Sequence, residues 1–480
     1  MFKQIIQCIH RSFLILNLVL KKLIVYIGSL TYKKVMNQAN FASALLLTFW
    51  IPFSKNYLTI FIGFWVLTWL LEGNFIQRFK NSKLNNYQTI ALFLPIILYV
   101  LNVFSLIISE NKELAIFDLE VKVSLLLFPL LFLGTNDMYR LKRSVFLKVF
   151  VLGLVTASFV CIANAFYNSI HFNNGTVDFN TAISPYKAHL NFFELIGNRF
   201  STFSYTRFSI FHHPSYYALY LSFGVVSAYY LYRTATKKIL KTLYSLSILL
   251  FTVVIYFLSS RAGLIALFIV IFTIMIIEIL LRRKIIVIIL SLIYFFVVGV
   301  ALLNSKLSIN FNSVIEQAKE SENINDFIDY FIEGVQGNNK KKEDARLTIW
   351  RYAYDLAKDN PLTGVGIGDV KANLYDKYKQ DNYLAGIQCR YNAHNQYLET
   401  FIAGGYIMLI ALLVFLIFGM YMAIARQRYI LGALMFLVAL NMAFESMFNT
   451  MAGTIFIMFF YSLLVRFDLK SKTIKEVKNA

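Results

Sequence analysis

The chain has 480 residues, 58% hydrophobic and only 15% charged, with 46 Phe and 30 Tyr. A soluble domain carries about 25% charged residues, so this composition excludes a soluble globular protein and implies a polytopic membrane protein. The net charge of +20 would point to nucleic acid in a soluble chain; here no nucleic-acid partner is implied, because Lys and Arg retained on the cytoplasmic side of a membrane account for it.

In chain order, residues 1–36 hold a short apolar stretch, Phe13 to Leu20, followed by Lys21 and Lys22. This reads as a cytoplasmic or interfacial basic segment, without a clean signal peptide. Lipid offers no partner to backbone polar groups, so a spanning helix needs about 20 apolar residues. Windows of that kind lie at 38–54, 57–72, 86–108, 121–135, 145–168, 213–232, 241–258, 261–281, 284–303, 396–424, 428–444 and 446–466. The expected fold is all-α, with about twelve transmembrane helices. Residues 37–303 hold the first nine with a loop at 169–212, and 304–395 form a large helical insertion. Residues 396–466 hold the last three, and 467–480 are a basic tail.

Basic residues orient this bundle. Arg78, Lys80 and Lys83 share one side with Arg140, Lys142 and Arg143, and with Arg233, Lys237, Lys238 and Lys241. Arg282, Arg283 and Lys284 follow on that side, then Arg426 and Arg428, then the tail. Both termini are expected in the cytoplasm. The mixed segment "SENKELAIFDLE" (109–120), the loop 169–212 and the insertion 304–395 are expected on the outer face. Cys8, Cys161 and Cys389 have no metal-ligand spacing and imply no disulfide framework.

Within the insertion, 312–333 has a helical pattern and "GVQGNNKKKED" (334–344) is a charged tip. A second helix is expected after Asp344, running "ARLTIWRYAYDLAKD" until Pro361 ends it. Arg346, Trp350 and Tyr354 recur on one of its faces. That face could steer phosphate, stack on sugar, or pack the insertion onto the bundle. "NPLTGVGIGD" (360–369) brings three glycines close together. It suits a tight packing turn, or a phosphate loop, although it lacks the Lys-Ser/Thr of a P-loop.

Ionisable residues at membrane boundaries are costly and therefore candidates for function. Arg261 in "LSSRAGLIAL" opens the eighth window, where the positive end of the helix dipole opposes it. An anion held by the guanidinium and the helix start explains it; so does snorkelling to lipid phosphates. Arg207, His212 and His213 crowd the mouth of the sixth window, where Pro214 fits the first turn of the helix. The two histidines suit interfacial positions better than zinc, since no further ligand stands at metal spacing. His394 in "YNAHNQYLETFIAGG" opens the tenth window, where the dipole favours a neutral imidazole able to act as a general base. A structural histidine at a boundary is the alternative.

The ordered set "RFSIFHHPSYYALYL" (207–221), "SSRAGLIAL" (259–267), "RLTIWRYAYDLAKDNPLTGVGIG" (346–368) and "NAHNQYLETFIAGG" (392–405) resembles the O-antigen ligase and polymerase family of bacterial envelope enzymes. "DLEVKVSLLLFPLLF" (118–132) is similar more loosely. The resemblance implies a glycosyltransferase of the GT-C type in the bacterial inner membrane, using neither metal nor cofactor. Its donor would be an undecaprenyl-diphosphate-linked glycan on the periplasmic face, and its acceptor the hydroxyl of a glycolipid such as lipid A-core. By motif, Arg207 and Arg261 match the diphosphate-gripping arginines and His394 the family histidine. His213, Arg346, Asn395 and Tyr397 are further candidates for substrate contacts. A polymerase of surface polysaccharide or a protein O-oligosaccharyltransferase shares these motifs. A lipid-linked oligosaccharide flippase, the reading from another class, needs neither the insertion nor its histidine. The oligomeric state is not legible.

Overall fold

The computed structural model describes residue 28 and residues 32–53, 55–80, 82, 84–135, 138, 139, 142–173, 176–183, 201–282 and 345–467. Residues 1–27 and 29–31 of the N-terminal basic segment, the window 284–303, the expected helix 312–333 and the charged tip lie outside the described residues. The same holds for the tail beyond Phe467.

The described chain is dominated by helices. In order they are α1 (32–50), α2 (Lys55–Glu72), α3 (Phe75–Lys80), α4 (Asn86–Ile108), α5 (Lys112–Lys122), α6 (Ser124–Leu133) and α7 (Arg143–Tyr167). After the loop come α8 (Pro214–Thr234), α9 (Lys238–Leu258) and α10 (Arg261–Arg282). The described part of the insertion holds α11 (Ala345–Asp359), α12 (Val370–Gln380) and α13 (Leu384–Cys389). Then come α14 (Gln396–Ala425), α15 (Tyr429–Met442) and α16 (Met451–Arg466). Helices lie over every expected window that falls among the described residues. Four, α4, α7, α9 and α14, are long and apolar enough to cross a membrane by length and composition.

Three features depart from the expected pattern. A small antiparallel hairpin, β1 (Ile170–Asn173) with β2 (Thr176–Phe179), pairs Ile170 with Phe179 in the loop after α7. Most of 109–120 is helical, because the Asn111 side chain caps α5 by accepting from the Leu114 N–H at 3.0 Å. The window at 121–135 is thus the end of α5 joined through Val123 to the 10-residue α6. At about 1.5 Å per residue, α6 alone covers roughly half of a hydrocarbon core about 30 Å thick.

The third departure shapes the site. α14 is broken at Gly404 and Gly405, whose φ/ψ of −147°/21° and 62°/−161° are not helical. A break inside an apolar helix frees backbone carbonyls that lipid cannot satisfy, so protein must supply the donors. The glycine segment after α11 does so. Val365 N–H donates to Ile402 O at 2.9 Å and Gly366 N–H to Ala403 O at 3.1 Å, while Tyr406 N–H donates to Pro361 O at 2.8 Å. Gly364 sits at φ +67°, and a Cβ there would collide with Ile402 O; one on Gly405 would collide with Leu362 O. The segment is therefore a packing turn.

The packing has two centres. The larger surrounds α8, buried continuously from Pro214 to Val225 between α7, α9, α10 and α15. Protein on every side explains how this helix carries so many tyrosines. Their hydroxyls find partners in neighbouring elements, Tyr217 with Ser158 Oγ at 3.1 Å and Tyr220 with Ala452 O at 2.6 Å. The smaller centre joins α11 and α12 to the first half of α14 through Ile349, Ala353, Leu374, Tyr378, Phe401 and Ile402. The insertion is thereby anchored to the half-helix that follows His394.

Candidate active site

His394 stands just before α14, and the residues around it fix its direction. Asn395 is the N-cap: its Oδ1 accepts from Tyr397 N–H at 2.9 Å and Leu398 N–H at 3.1 Å. Its Nδ2 donates to Ala443 O at 3.2 Å, tying the helix start to the turn between α15 and α16. His394 N–H donates to Asn392 Oδ1 at 3.1 Å, and its backbone takes φ +44°, in the left-handed region. That conformation is uncommon for a residue with a Cβ, although His adopts it more readily than most. It swings the ring off the helix line towards α15.

There the ring meets Glu445. His394 Nδ1 and Glu445 Oε1 are 3.0 Å apart, with the imidazole 27% exposed and the carboxylate side chain 6% exposed. Burial by itself pushes the Glu445 carboxyl up. The hydrogen bond from His394, with the fields of His394, His213 and Arg346, outweighs burial and holds it below the usual carboxylate range. A carboxylate only accepts, so Nδ1 must carry the proton. In the neutral ring Nε2 is then the lone-pair nitrogen, and no described residue hydrogen-bonds it.

His213 caps the neighbouring helix start. Its Nδ1 accepts from Ser215 N–H at 3.5 Å, which leaves the Nε2 proton for Tyr205 Oη at 3.3 Å. Tyr205, like His394, lies at positive φ, +52°. His213 shares an electrostatic neighbourhood with Glu445, His394 and Arg346, the last in the first turn of α11. Tyr216, three residues into α8, donates to Ser446 O at 3.2 Å and ties the same elements together.

The other expected residues divide. Arg207 is exposed at the end of a single helical turn, Tyr205–Phe208, beside His213. Ser204 and Ser259 hydroxyls approach to 3.2 Å, which sets that turn against the one preceding α10. Arg261 is the first residue of α10, so the backbones carrying both arginines gather at the end of the bundle that holds His394. Asn395 and Tyr397 are engaged within the protein, Asn395 as cap and Tyr397 Oη donating to Ala439 O at 2.9 Å. His212 is buried and bonded through Nε2 to Ile51 O at 3.1 Å, a packing role. Trp350 stacks at a tilt near Phe444, 6.4 Å between centroids, as a contact that seats the insertion on the bundle.

Glu445 was not singled out in the sequence. It falls in a one-residue gap between the windows 428–444 and 446–466, a carboxylate flanked by apolar runs. The rule that ionisable residues at membrane depth are costly applies to it as much as to Arg261. Its partner lies 51 positions away, too far for any local pattern to pair them.

Residues 246–413 match the family model described as O-antigen ligase. The resemblance carried by the motifs therefore holds over that span, which includes Arg261, Arg346, the glycine segment and His394. Arg207, His213 and Glu445 lie outside it. No curated protein matches the chain.

Proposed function

We propose that this multi-pass membrane protein transfers a glycan from an undecaprenyl-diphosphate carrier to an acceptor hydroxyl, the acceptor being lipid A-core or a similar glycolipid. The observation that carries the reading is the His394–Glu445 pair at 3.0 Å, whose geometry directs the basic Nε2 away from the carboxylate. In this reading both termini are cytoplasmic, while the loop 169–212, the insertion 304–395 and the active site face the periplasm.

The acceptor hydroxyl gives its proton to His394 Nε2 as its oxygen attacks the anomeric carbon from the face opposite the diphosphate. The bond between that carbon and the diphosphate oxygen breaks, its electron pair leaves with undecaprenyl diphosphate, and the configuration inverts. Glu445 holds the ring in the tautomer that can accept and offsets the imidazolium charge as it forms, as a carboxylate does in hydrolase triads. Arg207 and Arg261 meet the charge developing on the leaving diphosphate through paired hydrogen bonds that an ammonium cannot reproduce. A base of this kind contributes about 10²–10⁴-fold and leaving-group stabilisation adds to it.

Purified protein in proteoliposomes, given a synthetic undecaprenyl-diphosphate glycan and a glycolipid acceptor, tests this. The expected result is release of undecaprenyl diphosphate together with a product of inverted anomeric configuration. Product of retained configuration contradicts the single displacement, and an intact donor contradicts glycosyl transfer.

A further inference from the structure

Beneath the His394–Glu445 pair lies a second carboxylate. Glu399 is on the first turn of α14 and is 6% exposed. Three donors converge on it. Asn449 Nδ2 donates to Oε1 at 2.7 Å, while Ala393 N–H at 3.3 Å and Ser446 Oγ at 3.4 Å both reach Oε2. Ala393 is the residue before His394, and Ser446 is the residue after Glu445. One side chain thus binds the backbone N–H of the residue before His394 and the side-chain hydroxyl of the residue after Glu445, from two segments about fifty positions apart in sequence. Gln396, on the same turn, adds a parallel tie: Phe448 N–H donates to its Oε1 at 2.6 Å.

The donors of this cluster suit a carboxylate. Every partner of Glu399 presents a hydrogen, and a carboxylate can accept all three. A buried negative charge needs compensation, and the three converging donors supply hydrogen bonds to it. Glu399, Gln396 and Asn449 line a small cavity together with Lys122, whose Nζ is 3.1 Å from Asp118 Oδ2.

We infer that Glu399 is a positioning residue for the His394–Glu445 pair. Its carboxylate ties the Ala393 N–H to the Ser446 hydroxyl, so the Nδ1–carboxylate hydrogen bond and the aim of Nε2 depend on it, although it is not hydrogen-bonded to the His394 ring. As a positioning role, this rests on the proposed function; as a geometric one, it does not.

The test uses the full-length protein labelled with ¹⁵N-histidine in lipid nanodiscs, with the His394 signals assigned by their loss in His394→Ala. Glu399→Gln places an amide N–H against existing donors while keeping side-chain size. The inference predicts that it moves the His394 Nδ1 resonance away from its carboxylate-bonded position, towards that seen in Glu445→Gln. It also predicts a fall in kcat of at least about tenfold, equivalent to about 1.4 kcal/mol of barrier, with the donor KM within about twofold. Glu399→Asp, which keeps the charge, is expected to recover the resonance in part. Should Glu399→Gln fail to fold, Asn449→Ala removes the 2.7 Å contact and is expected to displace the same resonance less. An unmoved His394 resonance in every folded variant overturns the inference. If the resonance moves but His394→Ala keeps full transfer, the clamp stands and it is the glycosyl-transfer reading that fails.

Discussion

The imidazole of His394 needs three things to act as a base: a neutral form, a fixed tautomer and an accessible nitrogen. Glu445 supplies the second, and its own lowered pKa keeps it ionised to do so. Glu445→Gln is therefore more than a loss of charge. The amide can donate to Nδ1, which forces the proton onto Nε2 and removes the lone pair. The equivalent acid-to-amide change in the serine-protease triad costs about 10⁴ in kcat; a loss of at least about 10²-fold is expected here, measured as initial transfer rate at saturating donor. The same pair makes stability depend on pH. A carboxyl lowered in the folded state contributes stability above its ordinary value of 4.5, and this is lost as pH falls through the lower folded value. Thermal unfolding in detergent should show that acid-side loss in the wild type and a smaller one in Glu445→Gln. At Arg261 or Arg207, replacement by Lys forfeits a charge-assisted hydrogen bond worth about 1.5–3 kcal/mol. This corresponds to about 10- to 100-fold in kcat/KM for the diphosphate donor; wild-type values would assign the arginine to lipid phosphates instead.

Among the elements, the broken α14 and the glycine segment that fills its break decide where His394 sits. The half-helix 396–403 is held by the insertion on one side and by the turn between α15 and α16 on the other. Gly364→Ala puts a Cβ into Ile402 O at a positive φ. Strain of this kind costs about 1–3 kcal/mol, so a lower melting temperature is expected together with reduced transfer, read by thermal shift in the same detergent. The sequence showed these elements unevenly. Apolar helices were legible because a long apolar run marks them, and α11 because Asp344 and Pro361 punctuate it. The break in α14 was not, although "IAGGY" carries two adjacent glycines: the apolar run continues through them, and hydropathy does not register a backbone turn. The helix α5 was hidden for the opposite reason. Its charges suit a loop, and only the Asn111 cap and the pairing of Lys122 with Asp118 reveal why those residues coil.

Across the whole molecule, the starts of α8, α10 and α14 and the turn between α15 and α16 meet at one end of the bundle. Each is a place where a helix begins or a span ends, and there the chain can afford polar side chains. Motif spacing named the residues at the first three places, since each motif is contiguous. The fourth contributes a single carboxylate whose meaning appears only when 51 positions of sequence are folded back. Site assembly is therefore a property of the bundle, and the proposed chemistry stands or falls on the nitrogen it presents. Single-turnover transfer from a synthetic undecaprenyl-diphosphate glycan, comparing wild type with His394→Ala in matched nanodiscs, measures this directly. The account predicts a rate lower by about 10²–10⁴-fold with donor affinity retained; turnover at the wild-type rate would contradict it.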